Sequence, residues 1–240
     1  MDISVVIPAF NEEHKIKHDV ETAARFFVDF HLGGEVIVVD DGSLDRTADA
    51  AQSADIPASA GLQVIRMEKN SGKGLAVRTG ILASEGDIIL FADSGTCIPY
   101  ANAVPPYRNI KEGIIDIALA SRRHEDSVIC RNRSLKRRWI SWLFRIASIL
   151  VVGVPVWISD SQCGFKLYRG SVAKSLFGSL VTTGYVFELE ILMRALSKGC
   201  RIEEFPVEWS CDLDTRMRPG HEALSIMKDI FRVRRILAEE

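Results

Sequence analysis

The sequence has little excess charge, few cysteines and no apolar run long enough to cross a bilayer. Its 240 residues carry a net charge of −2, which argues against a generally basic nucleic-acid-binding protein. Five cysteines lie scattered without CxxC spacing, so we expect reduced thiols of a cytosolic protein rather than a disulfide framework. The apolar stretch after Arg145 is shorter than the ~20 residues that a transmembrane helix needs.

Linkers, internal repeats and low-complexity tracts are also absent from the sequence. We therefore expect one domain over residues 1–240. The chain opens directly with an apolar strand pattern, which predicts no signal peptide.

What the sequence does contain is an alternation of strand and helix patterns. This alternation predicts an α/β fold with a mostly parallel sheet flanked by helices. Strands are expected near residues 3–8, 35–40, 63–67, 87–92, 115–120, 164–168 and 202–208. Helices are expected near residues 12–30, 45–54, 73–84, 100–111, 185–198 and 222–237.

Two of the predicted strands end in polar groups before a helix. The second strand runs into Asp40, Asp41 and Gly42, and the first runs into Asn11 and Glu12. Carboxyl ends of parallel strands are where open α/β sheets bind ligands, and adjacent carboxylates can accept hydrogen bonds from a ribose or a base. The pattern therefore indicates a nucleotide site, although a capped strand-to-helix turn explains each end taken singly.

Lys73 lies between two glycines at the start of a predicted helix. The segment is not a Walker A loop, because the first glycine and the following Ser or Thr are missing. Its place between the second and fourth strands favours a contact with a nucleotide or diphosphate. The alternative is a solvated loop.

Residues 127–159 contain no acidic residue and six cations. Trp139 and Trp142 follow the basic cluster, and polar residues recur at steps of four and three from Ser134 to Ser148 on an otherwise apolar helix. An amphipathic helix with aromatics and cations is typical of a membrane surface, so we expect residues 134–152 to contact one. Packing in the core or in an oligomer is the alternative, and single-stranded nucleic acid is disfavoured.

Several segments of the chain are similar to sequence blocks of family 2 glycosyltransferases of the GT-A fold. Two of them look specifically like enzymes that load a hexose onto a polyprenyl phosphate, such as dolichyl-phosphate glucosyltransferases. The resemblance covers essentially the whole chain. The segments are Val5–Glu13, Val39–Thr47, Asn70–Gly80, Asp160–Tyr168, Gly184–Glu190 and Glu204–Trp209.

This resemblance implies an inverting transfer of glucose from UDP-glucose to a polyprenyl or dolichyl phosphate. Residues 1–121 would form the nucleotide-sugar half and residues 122–240 the acceptor half. Catalytic roles fall on Asp160, Asp93 and Arg122. The implied ligand-binding residues are Pro8, Asn11, Glu12, Asp40, Asp41, Lys73, Asp93, Arg131, Arg138 and Gln162.

Within that set, Asp40 and Asp41 would hold the uridine portion. Arg122, Arg131 or Arg138 would grip the acceptor's phosphate, a task that suits bidentate arginines. Asp160 would orient or deprotonate the acceptor, or else cap the turn that follows it.

The fourth strand ends in Asp93-Ser94-Gly95, where the family usually presents Asp-X-Asp. Gly95 replaces the second carboxylate. Mg²⁺ commonly keeps several waters, so Mg²⁺ or Mn²⁺ held by Asp93, two diphosphate oxygens and waters is still expected.

Other functions stay open from the sequence. They are a mannosyl transfer from GDP-mannose, a family 2 transfer to a soluble or polysaccharide hydroxyl, and a non-catalytic sugar-nucleotide-binding protein. The expected location is the cytoplasmic face of a membrane, with peripheral attachment.

Overall fold

The structure is a computed structural model that describes residues 1–131, 135–210 and 219–238. Side chains are described for these residues except 131, 135–138 and 219–226. All ranges below refer to this part of the chain.

The described chain alternates strands and helices for most of its length. The strands are β1 (Ile3–Ala9), β2 (Gly34–Asp40), β3 (Gly61–Arg66), β4 (Ile88–Ala92), β5 (Ile117–Ser121), β6 (Val128–Arg131), β7 (Phe165–Arg169), β8 (Ile202–Pro206) and β9 (Glu208–Ser210). The helices are α1 (Ile16–Asp29), α2 (Thr47–Gln52), α3 (Lys73–Ala83), α4 (Val104–Lys111), α5 (Leu135–Ala147), α6 (Gly170–Gly178), α7 (Phe187–Ser197) and α8 (Pro219–Ala238). A 3₁₀ turn (Tyr100–Ala103) precedes α4, and a π-helical turn (Ser148–Val152) continues α5.

Seven strands form one sheet in the order β3-β2-β1-β4-β7-β5-β8. All neighbouring pairs run parallel except those of β7, which is antiparallel to both β4 and β5. β6 and β9 form a separate parallel pair. The expected α/β fold with a mostly parallel sheet flanked by helices is confirmed.

Two apolar cores lie on the two faces of the sheet, because successive strand residues point to opposite sides. Val36 and Val38 join the core that includes α1, whereas Ile37 and Val39 join the core that includes α3. All seven residues of β2 are buried, which explains its run of β-branched side chains. α3 approaches the sheet closely at Gly80, where a Cβ would lie 2.4 Å from Val6 Cγ1.

Several expected elements differ in the structure. The strand expected over 202–208 is two strands, because Val207 separates β8, which pairs with β5, from β9, which pairs with β6. The helix expected from residue 12 begins at Ile16, since Asn11 has a left-handed φ of 53°. β6 and α6 were not predicted from the sequence.

Candidate active site

The ends of three parallel strands meet at one edge of the sheet. β1 ends at Ala9, β2 at Asp40 and β4 at Ala92. β7 runs the other way, and its first residue, Phe165, pairs with Ala92, so the chain before β7 reaches the same edge. This edge is the usual ligand-binding position of an open α/β sheet.

Asp40 ends β2 with a fully buried carboxylate. Its Oδ1 accepts the backbone N–H of Ser43 at 2.9 Å, and its Oδ2 lies 3.8 Å from Arg66 Nε. That Oδ2 accepts no hydrogen bond from the described residues. This carboxylate oxygen can therefore accept a hydrogen bond from a hydroxyl or N–H group of a ligand.

The neighbouring carboxylate, Asp41, organises the loop before α3. It accepts the backbone N–H groups of Ser71 and Gly72 at 2.7 and 3.0 Å. Burial raises the pKa of Asp41 above its ordinary value. Asp41 therefore fixes the loop that leads into Lys73.

Pro8, Asn11 and Glu12 lie where β1 meets the loop after β2. Pro8 is part of β1 itself. The N–H of Asn11 donates to Ser43 Oγ at 2.7 Å, and that of Glu12 donates to Thr47 Oγ1 at 2.7 Å. These bonds join the two strand ends into one surface.

Lys73 is the first residue of α3 and belongs to a line of four alternating charges. Its Nζ lies 2.7 Å from Asp93 Oδ1 and 3.8 Å from a carboxylate oxygen of Glu188. The other oxygen of Glu188 forms a short ion pair with Lys166, which also donates to the carbonyl of Ser161 at 2.7 Å. Burial alone would lower the pKa of Lys73, but Asp93 and Glu188 outweigh it and hold that pKa above its usual value.

Glycines hold the loop before α3 in place. Gly72 has a φ of 101°, and a Cβ there would lie 2.5 Å from the carbonyl oxygen of Thr183. The N–H of Gly74 donates to the same oxygen at 2.7 Å. A larger residue in place of Gly72 or Gly74 would clash with Thr183, and we expect it to move Lys73 away from Asp93.

Glu190, whose role the sequence left uncertain, anchors the segment before Thr183 that this loop packs against. It is fully buried and accepts the N–H groups of Val181 and Thr182 at 2.9 and 2.8 Å. It also pairs with Arg194 at 2.9 Å. Its contacts are thus structural.

The surroundings of Asp93 leave its carboxylate accessible to a ligand. Its side chain is 40% exposed, and Gly164 leaves room that a Cβ would fill, since that atom would lie 2.0 Å from Asp93 Oδ2. The described residues contain no cluster of three His, Cys, Asp or Glu side chains placed to hold a metal. Asp93 therefore fits a cation that takes most of its ligands from elsewhere, such as a bound diphosphate and water.

Gly95 lies where the resemblance expects a second aspartate, and it turns away from the site. Its φ is 98°, and its N–H donates to Asp19 Oδ2 of α1 at 2.8 Å. Asp19 is buried, and burial raises its pKa to about 6. Sequence reasoning missed this acid, although its position on the apolar face of α1 beside Ile16 and Val20 was a signal.

Arg122 and Asp160 form a buried bidentate pair. Nε and Nη2 of Arg122 lie 2.6 and 2.7 Å from the two carboxylate oxygens, and the backbone N–H of Arg122 adds a bond of 3.1 Å. The guanidinium also lies 5.7 Å from the ring centre of Trp209. Burial would raise the pKa of Asp160, but the charge and hydrogen bonds of Arg122 outweigh it and hold that pKa below its ordinary value. Asp160 is therefore a weak base that fixes the direction of Arg122.

Glu204 on β8 binds the backbone of the segment that carries Asp160. Its carboxylate accepts the N–H groups of Ser159 and Asp160 at 2.9–3.0 Å. The sequence placed Glu204 in a family-like block but gave it no role. Spacing alone could not show that it contacts a segment 44 residues earlier.

The remaining candidate residues are less well defined. Gln162 follows Ser161, and its Nε2 lies 3.5 Å from the carbonyl oxygen of Ser161. The side chains of Arg131 and Arg138 lie outside the described part of the structure.

Among the described side chains of α5, Phe144 and Ala147 pack against the core, whereas Trp139, Trp142 and Leu143 are exposed to solvent. Polar residues on and after the helix contact the rest of the protein. Ser141 accepts a bond of 3.2 Å from Arg123, Arg145 donates to the carbonyl of Val156 at 3.1 Å, and Ser148 is buried. The exposed side chains form what we call the apolar patch: Trp139, Trp142, Leu143, Leu150, Val156 and Trp157. Among the described residues, no helix combines the length and apolarity that crossing a bilayer requires.

Comparison with known proteins agrees with this architecture. Residues 4–177 match the family model described as glycosyl transferase family 2. The chain is 32% identical to dolichyl-phosphate beta-glucosyltransferase of Dictyostelium discoideum, covering 97% of this chain and 73% of the relative. It is also 32% identical to the Homo sapiens protein of that name, covering 97% and 74%.

A similar fold occurs in glucosyl-3-phosphoglycerate synthase from Mycobacterium tuberculosis, solved with Mn²⁺, UDP and phosphoglyceric acid. The TM-score is 0.70 at 22% identity, over 97% of this chain and 76% of that one. This likeness concerns the fold.

Proposed function

The chain belongs to glycosyl transferase family 2 and is a hexosyltransferase, and from that premise we propose that it moves glucose from UDP-glucose to a polyprenyl phosphate. The acceptor class is supported by the relatives, which are dolichyl-phosphate glucosyltransferases. UDP is the nucleotide bound to the structural neighbour. We place the donor along the strand-end edge in residues 1–121 and the acceptor against residues 122–240.

The Arg122–Asp160 pair is the observation that carries this proposal. An alcohol acceptor needs a base to remove its proton, and Asp160 is a poor one, because Arg122 binds both of its oxygens and holds its pKa below the ordinary value. A phosphate acceptor is already anionic and needs a fixed cation instead, which Arg122 supplies. The neighbouring Arg123 donates to Ser141 of α5, the helix that also carries Trp139, Trp142 and Leu143 of the apolar patch.

In the proposed reaction, a phosphate oxygen attacks the anomeric carbon while the bond from that carbon to UDP breaks. UDP leaves with the bonding electrons, and the configuration inverts. Asp40 and Asp41 line the uridine position, Lys73 faces the diphosphate, and Arg122 holds the acceptor's phosphate in line for attack. Asp93 would hold Mg²⁺ or Mn²⁺ together with the diphosphate, where such a cation neutralises charge on the departing nucleotide.

We further propose that the protein attaches to the cytoplasmic face of a membrane through the apolar patch. The lipid chains of a polyprenyl phosphate lie in the bilayer, so an enzyme with an apolar surface beside its acceptor position can reach the headgroup. Cations in residues 127–159 would add attraction to anionic lipid.

Radiolabelled transfer tests the assignment. Purified protein is given UDP-glucose or GDP-mannose with a short polyprenyl phosphate, or with the matching polyprenol, each with and without EDTA. We expect glucose transfer to the phosphate and none to the alcohol. Preference for GDP-mannose would change the donor, preference for a hydroxyl acceptor would contradict the role of Arg122, and binding of UDP without transfer would indicate a non-catalytic protein.

A further inference from the structure

The carboxylate that the proposed function assigns to a metal already has a cationic partner. Lys73 Nζ lies 2.7 Å from Asp93 Oδ1, in the position that a bound cation would share. In the described structure Gly95 supplies no side chain there, and its backbone is bound to Asp19. A divalent ion held by Asp93 would therefore share that carboxylate with the ammonium of Lys73.

The charges around Lys73 are balanced in the absence of donor. Asp93, Lys73, Glu188 and Lys166 alternate in sign, so two carboxylates cancel two ammonium groups. A divalent ion added alone would leave its whole charge uncompensated beside Lys73. Like charges at this distance repel one another, so binding of the ion alone is disfavoured.

A diphosphate reverses this balance. Its negative charges attract both the divalent ion and Lys73, and the positive end of the α3 dipole at Lys73 favours the same anion. Glu188 lies 3.8 Å from Lys73 Nζ, so the side chain has a second carboxylate nearby when it leaves Asp93. The backbone of the loop stays anchored by Asp41 and Thr183, so this change needs only the side chain.

We propose that Lys73 competes with the divalent cation for Asp93, so that metal binds well only when a donor diphosphate draws the ammonium away. This inference rests on the proposed function, because it takes the donor and the cation at Asp93 from it. Metal and donor then strengthen each other's binding by the same factor, as linkage requires.

Manganese titrations followed by the electron paramagnetic resonance signal of free Mn²⁺ test the competition without any turnover. The proteins are wild type, Lys73→Gln, Lys73→Met and Lys73→Arg, each with and without saturating UDP. Lys174→Gln, which removes an exposed lysine on α6, is the charge-matched control.

Wild type should bind Mn²⁺ weakly alone and at least about tenfold more tightly with UDP. Lys73→Gln and Lys73→Met should bind Mn²⁺ about tenfold more tightly than wild type without UDP, and UDP should then add less. Lys73→Arg and Lys174→Gln should behave as wild type. Asp93→Asn should remove the UDP-dependent binding, which shows that the ion is at Asp93.

Two results would overturn the inference, and they are distinguishable from failure of the proposed function. Unchanged Mn²⁺ affinity in both neutral Lys73 variants, with UDP binding intact by calorimetry, would show that Lys73 does not compete. Equal Mn²⁺ affinity of wild type with and without UDP would show the same. Failure of wild type to bind UDP at all would instead remove the proposed function, and this inference with it.

Discussion

Single residues at the strand-end edge act mainly by positioning charge. Asp160 binds Arg122 through both oxygens, and Asp41 binds two backbone N–H groups through both of its own. Each carboxylate therefore has a definite structural partner in addition to any ligand. In the proposed function, Arg122 and Lys73 depend on these acids for their positions.

Asp19 is the buried acid with the clearest effect on pH dependence. Its pKa of about 6 lies above the value near 4 of an unfolded chain. Between these values the native protein holds a proton that the unfolded chain has released, so this residue makes stability fall as pH rises from about 4 to above 6. Asp19→Asn removes the charge and can still accept the Gly95 N–H, so we expect it to stabilise the protein at neutral pH by about 1–3 kcal/mol.

Urea unfolding at pH 4.5 and pH 7.5 measures this effect. The gain from Asp19→Asn should be larger at pH 7.5 than at pH 4.5. Asp29→Asn, at the exposed end of the same helix, is the control and should show little difference between the two. An equal gain at both pH values would contradict the raised pKa.

At the scale of elements, β8 links the proposed acceptor position to the sheet. Glu204 binds the backbone of Ser159 and Asp160, and Asp160 in turn orients Arg122. Glu204→Gln replaces one acceptor oxygen by a donor that faces N–H groups, so we expect the segment to shift and Arg122 with it. The Michaelis constant for the phosphate acceptor should rise about fivefold or more, while UDP affinity stays unchanged.

Steady-state kinetics with varied acceptor, together with UDP calorimetry, check this expectation. Glu203→Gln, an exposed neighbour on β8, is the matched control. Equal losses of UDP affinity and acceptor affinity would point to general destabilisation rather than positioning.

The strands that form the donor edge could be predicted because their signals are local. The β-branched run of β2 predicts a strand that is buried on both faces. Asp40 and Asp41, which follow this run, predict a polar strand end. The position of β7 between β4 and β5 could not be predicted in this way, since strand order depends on contacts between distant residues. β6 and β9 are short and pair with each other, and Ile129 and Trp209 pack against the main core, so their formation depends on contacts distant in the sequence.

The candidate site likewise contains residues that local sequence signals identify and contacts that such signals do not show. Asp93 and Lys73 could be selected from strand ends and glycine spacing, but their direct contact could not. Lys166 and Glu188 lie in family-like blocks, yet their pairing joins β7 to α7 across 22 residues. Asp19 could have been flagged as a lone acid on an apolar helix face, but its partner Gly95 is 76 residues away.

At the scale of the whole molecule, the proposed membrane attachment depends on the apolar patch. Trp142 and Leu143 of this patch follow Ser141, which accepts a hydrogen bond from Arg123. We expect binding to anionic liposomes that salt weakens only in part, because salt screens the charges but not apolar burial. Trp142→Ser with Leu143→Ser should remove the salt-resistant part and reduce transfer to long-chain acceptors.

Liposome flotation at low and high salt measures the attachment, and calorimetry measures UDP binding in the same variants. Val28→Ser with Ile114→Ser, two exposed apolar residues outside the patch, is the control pair and should float like wild type. If wild-type protein does not bind anionic vesicles at low salt, the proposed membrane attachment through the patch is wrong.

The antiparallel strand β7 has a consequence for how this fold can be recombined. β5 reaches the rest of the sheet only through β7, which joins β4 to β5. A chimera joined after Ser121 would bring its β7 from a different parent, and that foreign strand would have to match both β4 and β5 in packing. Exchange of residues 1–121 or 122–240 between two such proteins is therefore expected to disturb the packing of β7. A junction beyond Arg169 keeps the shared strand with its native neighbours.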